Sequence, residues 1–127
     1  TMLENKYDIV MQQGSNYSLV LTVKDSNGNN KDLSGYSARM QIRPSYGSST
    51  ITESLSTGSG DITIDTGNSN IYISLSAERT ANIKVDLSGN KKPPSSSYVY
   101  DMEFIDSNDF TYKLIYGDVT VYGEVTR

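Results

Sequence analysis

The segment from Tyr98 to Arg127 alternates apolar and polar residues in short runs broken by Asp, Asn and Gly. That period of two belongs to antiparallel strands with one buried and one wet face. It recurs upstream. Tyr17–Lys24 places Tyr17, Leu19, Leu21 and Val23 on one phase, and Ser37–Arg43 places Ala38, Met40 and Ile42 inward against Arg39, Gln41 and Arg43 outward. Pro44 cannot donate to a ladder and ends that strand. Further strands are expected at Tyr7–Gln12, Asp61–Asp65 and Asn70–Leu75, with a weak edge strand at Thr50–Leu55. The closing strands read as Tyr98–Ile105, Phe110–Tyr116 and Asp118–Val125.

Between these runs lie turn signals. Asn27-Gly28 supplies the positive φ angles of a type I′ hairpin. Ser76–Ile83 is the one plausible helix, with Ser76 as its cap, Glu78 near the dipole's positive end, and a helical body over Ala77–Ile83. Asp86–Ser97, with Gly89, Lys91, Lys92, Pro93 and Pro94, reads as an exposed loop. Many short strands at this spacing predict one domain over residues 1–127, an all-β, immunoglobulin-like antiparallel sandwich of about eight strands with one short crossover helix. Its expected core is Leu19, Leu21, Met40, Ile42, Ile73, Leu75, Met102 and Phe104.

Composition narrows the function. The chain has no His, Cys or Trp. It therefore lacks the usual neutral-pH base, the usual metal ligands and any disulfide. Eleven Lys and Arg stand against 15 Asp and Glu, giving a net charge of −4. Neither nucleic acid nor an anionic membrane is an expected partner. No apolar run reaches the length of a membrane span, and the N-terminus shows no apolar signal core. Hydrophobic residues make up 35 %, below the usual range of about 45–50 %, but 10 Tyr supply strand-favouring bulk.

Each candidate site has a plainer reading beside it. Asp101 and Glu103, two apart on one strand face, could form an acid/base pair or a metal site; the plainer reading is a solvated face paired across to Arg39 or Arg43. Asp25–Asn29 has calcium-loop residue types, but its Gly falls at the fourth position and no Glu follows at the twelfth; a hairpin explains every residue. Asn16-Tyr17-Ser18 fits a glycosylation sequon by chance. Tyr98 and Tyr100 share a phase with Met102 and Phe104 and belong to the core, while Tyr46, Tyr116 and Tyr122 stay open. No catalytic residue, cofactor or metal ligand is expected.

Several blocks together resemble a known family. Tyr7-Asp8-Ile9-Val10-Met11-Gln12-Gln13-Gly14-Ser15-Asn16-Tyr17, Gly35-Tyr36-Ser37-Ala38-Arg39-Met40-Gln41-Ile42-Arg43, Ser74-Leu75-Ser76-Ala77, Tyr98-Val99-Tyr100-Asp101-Met102-Glu103 and Gly117–Arg127 follow one another along the chain. In that order they are similar to small β-sandwich virion proteins of tailed bacteriophages, of the contractile-tailed marine type, and to the N-terminal domain of phage baseplate upper proteins. The resemblance implies a structural component of a phage particle (a baseplate, tail or neck adaptor or decoration protein). It implies a virion location and contacts with other virion proteins in a symmetric multi-copy assembly. The alternative is a non-catalytic carbohydrate- or surface-binding sandwich. For assembly, the expected surfaces are the loop Asp86–Ser97 and the apolar closing strand Asp118–Val125, which either pairs with a neighbour's sheet edge or is an ordinary closing strand of the sandwich. Val119, Val121, Tyr122 and Val125, with Lys91 and Lys92 in the preceding loop, are the candidate interface residues.

Overall fold

The computed structural model describes residues 5–87 and 93–123. The elements run in the order β1 (Asn5–Lys6), β2 (Ile9–Gln12), β3 (Tyr17–Thr22), β4 (Ser37–Arg43), β5 (Glu53–Ser56), β6 (Ile62–Asp65), β7 (Asn70–Leu75), α1 (Ala77–Ala81), β8 (Ser95–Ile105) and β9 (Thr111–Tyr122). They form two sheets. The larger has the order β5-β4-β8-β9, with β1 and β2 along the far side of β9; the smaller is β3-β7-β6. This is an all-β, immunoglobulin-like sandwich. The first strand is the exception to its antiparallel pairing. Lys6 pairs with Tyr116 and Ile9 with Val119, both parallel, so β1 and β2 are one interrupted strand in a single register.

The interruption at Tyr7-Asp8 has a physical cause. The Tyr7 amide donates to the Tyr116 carbonyl at 2.8 Å. Asp8 Oδ1 accepts from the Asp118 amide at 3.1 Å, standing in for a backbone acceptor. The Tyr7 carbonyl turns inward and accepts from the Tyr100 hydroxyl at 2.5 Å. Tyr100 sits on β8, so its ring must cross β9 to reach that carbonyl. It crosses at Gly117, its ladder partner. A Cβ there would lie 2.3 Å from the Tyr7 oxygen. Gly117 therefore does not split the C-terminal region into two strands as the sequence suggested; β9 runs through it because the missing side chain lets another backbone approach.

Both sheets send their apolar phase into one core. Ile9, Met40, Ile42, Leu55, Met102, Phe104, Val119 and Val121 face it from the larger sheet and Ile62, Ile71, Ile73 and Leu75 from the smaller. Each such aliphatic contributes roughly 1.5–3 kcal/mol. Of the expected core, Leu19 and Leu21 are only partly buried. Their strand β3 is an edge of the smaller sheet, so one flank lacks a neighbour.

Two crossings between the sheets are pinned to each other. The turn after β2 and helix α1 meet at Thr80, which is fully buried. Its Oγ1 accepts from the Gly14 amide at 3.1 Å and donates to the Ser15 carbonyl at 2.8 Å. Asn16 Oδ1 accepts from the Ala77 amide at 2.7 Å, and Gln13 Nε2 donates to the Ile83 carbonyl at 2.7 Å. Ser76 caps the helix through the Arg79 amide. The helix stops at Ala81, two residues short of the expected end, and carries Ile83 into the core. Arg79 then bridges the layers, with Glu53 of β5 at 2.7 Å and Asp61, just before β6, on its other nitrogen.

The hairpin at Asp25 also departs from expectation. Only Gly28 has positive φ there, at 83°, so the loop is not type I′. Asp25 Oδ1 accepts from the amides of Asn27 and Asn29, and the Asp25 amide donates to the Asn29 carbonyl. The carboxylate thus closes a type I turn with a bulge. Asp106 does the same through the amides of Asn108 and Phe110, with Asp109 taking the left-handed position at φ 65°.

Two substitutions test these joints. Gly117→Ala should cost at least about 2 kcal/mol, because the obstacle is a backbone carbonyl that cannot move aside alone. Thr80→Val keeps the volume but orphans the Gly14 amide and the Ser15 carbonyl, and should cost about 1–3 kcal/mol. Urea denaturation measures both; losses under about 0.5 kcal/mol, the range of ordinary surface changes, would mean these contacts do not hold the layers.

Candidate interaction face

The outward phase of the larger sheet forms the candidate face. Strand alternation puts Arg39, Gln41 and Arg43 of β4 beside Val99, Asp101 and Glu103 of β8. Tyr116, Asp118 and Thr120 of β9 continue the rows, and Lys6 and Val10 finish them at the far edge. Opposite charges alternate across the rows. Arg39 Nε lies 2.8 Å from Glu103, Lys113 lies 3.4 Å from Asp101, and Lys6 lies 4.0 Å from both Asp8 and Asp118. Pairs this exposed add about 0–1 kcal/mol each. The plain reading of Asp101 and Glu103 as a solvated strand face fits, with Lys113 as the partner of Asp101. Among the described residues no group of three or more acidic, His or Cys side chains could hold a metal ion. Asp25 Oδ1 accepts two amides of its own turn.

Pro44 ends β4, and the chain folds back over this face. The Ser48 amide donates to the Ser45 carbonyl, closing a turn. Arg43 Nη1 donates to the Ser48 carbonyl at 2.8 Å, while its Nη2 donates to Gln41 Oε1 at 2.9 Å. Under this loop lies a groove of about 350 Å³, lined by Gln41, Arg43, Tyr46, Ser48, Val99, Tyr100, Asp101 and Glu103. Tyr46 is 62 % exposed at its lip. Partial burial, and then the negative charge of Asp118, hold its phenol above the ordinary value. Tyr46 and Tyr116, left open by the sequence, thus come together on one face.

Of the interface residues expected from the sequence, Val119 and Val121 do not reach this face. Val119 and Val121 are fully buried in the core. From Ile115 to Tyr122 strand β9 is flanked by β8 on one side and by β1 and β2 on the other, so this stretch has no edge to offer a neighbour. Tyr122 is half-buried on the opposite phase, across from Gln12. Val125, Lys91 and Lys92 lie outside the described residues. Among the described residues the sheet edges are β5 and the β1–β2 strand in the larger sheet and β3 and β6 in the smaller. Tyr100 is core as expected, and Tyr98 is half-buried with its hydroxyl donating to the Lys84 carbonyl. Asn16, the sequon residue, is engaged with helix α1.

Burial raises the phenols of Tyr17, to about 12, and of Tyr100. A raised phenol favours the fold while it stays neutral, so its contribution is complete below the unfolded value near about 10 and is lost as pH climbs toward the folded values. Tyrosinate absorbance should show Tyr17 and Tyr100 protonated above about pH 10 until unfolding releases them. Urea midpoints should fall over the same interval, and less steeply in Tyr100→Phe; a midpoint flat from about pH 9 to 12 would refute this.

No family model and no curated protein matches the sequence. Among solved structures, the extracellular domain of the voltage-gated sodium channel beta4 subunit, seen as parallel homodimers explaining its role in cell-cell adhesion, resembles the chain at a TM-score of 0.42 and 14 % identity, over 98 % of each chain. A likeness at that level transfers nothing about function.

Proposed function

We propose that this domain is a non-enzymatic structural component of a tailed-phage particle. It serves as an adaptor or decoration element of baseplate, tail or neck and works through contacts with other virion proteins in a symmetric multi-copy assembly. The observation that carries the reading is where the resembling blocks fall. Tyr7–Tyr17 contains β2, Gly35–Arg43 contains β4, Tyr98–Glu103 lies in β8 and Gly117–Arg127 contains the end of β9. All four meet in one sheet, as adjacent strands. The sequence likeness is therefore concentrated in one sheet, with the fifth block, Ser74-Leu75-Ser76-Ala77, at the end of β7 in the other.

The outward face of the larger sheet suits reversible or symmetric contact. It is broad and its charges are interleaved, so a partner with the complementary pattern is favoured and a uniformly charged one is not. The buried closing strand moves assembly away from strand exchange at β9 and onto this face and the free edge of β5. Immunogold labelling of purified tailed-phage particles, with antibodies raised against the domain, tests the reading. Label should recur at one fixed level of the tail or neck. Particles that stay unlabelled, with the protein left soluble in the lysate, would overturn it.

A further inference from the structure

We infer that the groove beneath Tyr46 is a binding site for a neutral saccharide. This goes beyond the particle reading and does not depend on it. At about 350 Å³ the groove is small, at the lower end of the roughly 300–1,000 Å³ of ligand pockets, enough for a short oligosaccharide's end. Its hydrogen-bonding groups are held in place but not used up. Arg43 spends donors on the Ser48 carbonyl and Gln41 Oε1, which leaves the rest of its guanidinium fork open. Because Gln41 Oε1 faces Arg43, the Gln41 amide nitrogen turns its donors the other way. Asp101 meets Lys113 through Oδ2 and Glu103 meets Arg39 through Oε1, leaving the other oxygen of each carboxylate as an acceptor.

Donors and acceptors thus alternate within one groove. A sugar hydroxyl both donates and accepts, and several on one ring satisfy such a pattern at once. A charged ligand fares worse. Asp101 and Glu103 are already paired with Lys113 and Arg39, so a cation gains little there, and an anion at Arg43 would still face both carboxylates across the groove. Val99 gives the floor an apolar patch, and the exposed ring of Tyr46 at the lip offers a flat surface for the C–H face of a sugar.

The test is a glycan array carrying neutral and acidic oligosaccharides, followed by amide-resolved NMR titration of the whole chain with its best neutral ligand and with cellotriose, maltotriose and sialyllactose. A neutral oligosaccharide should produce saturable shifts confined to β4, β8 and residues 44–50. Tyr46→Ala and Gln41→Ala should each weaken that binding by about tenfold, equivalent to about 1.4 kcal/mol. Val20→Ala, on the opposite sheet, should leave it unchanged. Thermal melts keep the comparison to folded protein, and Tyr46 is exposed enough for its loss to be tolerated. The inference falls if no neutral glycan binds, if binding survives Tyr46→Ala, if the acidic glycan binds more tightly, or if only peptides occupy the groove. The immunogold result is independent of each of these outcomes.

Discussion

The Tyr7 carbonyl, held between the Tyr100 hydroxyl and the bare α-carbon of Gly117, is the joint on which this sandwich depends. It fixes the first strand against the last, in parallel, and turns β9 from an edge into the interior of a sheet. A buried phenol needs an acceptor, and a carbonyl turned out of its ladder needs a donor; each group here satisfies the other. With no cysteine in the chain, polar contacts of this kind do the cross-linking that a disulfide does in many small sandwiches.

The Thr80 cluster and the Arg79 bridges complete that framework at the other connections. The turn leaving β2 and the helix between β7 and β8 are two of the four places where the chain changes sheets, and a loop that changes layers has backbone groups with no ladder to join. Thr80, Gln13 and Asn16 supply partners for those groups. Arg79 joins Glu53 and Asp61, whose side chains are mostly buried, so the charges are paired where desolvation would otherwise disfavour them.

Function follows from what this framework leaves outside. Once the N-terminal strand covers β9, the apolar residues of the closing strand are core, and the proposed assembly contacts move to the outward phase of the same strands. That phase carries interleaved charges and a groove roofed by the loop after Pro44. A sheet buried on one face and wet on the other presents its polar residues as a ready-made array, set to ladder spacing.

The sequence determined the sandwich, the strand phases and where the turns lie, because period-two alternation, Pro44, Asn27-Gly28 and the Ser76 cap act over a few residues. Ala38, Met40 and Ile42 faced inward and Arg39, Gln41 and Arg43 outward, as alternation requires. The phase of Val119 and Val121 was equally legible, but their role was not. An apolar β-branched strand reads the same whether a neighbouring protein or the chain's own first strand covers its edge. Tertiary structure decided that, through a contact between residues 110 positions apart, Asp8 and Asp118. The same holds for Gly117, which locally signals a break and in the fold permits a close approach. It holds for Tyr46 too, which no local pattern joins to Asp101 or Tyr116. Local signals set each strand and its face; which strands become neighbours is set by long-range pairing, and the site lies where those neighbours meet.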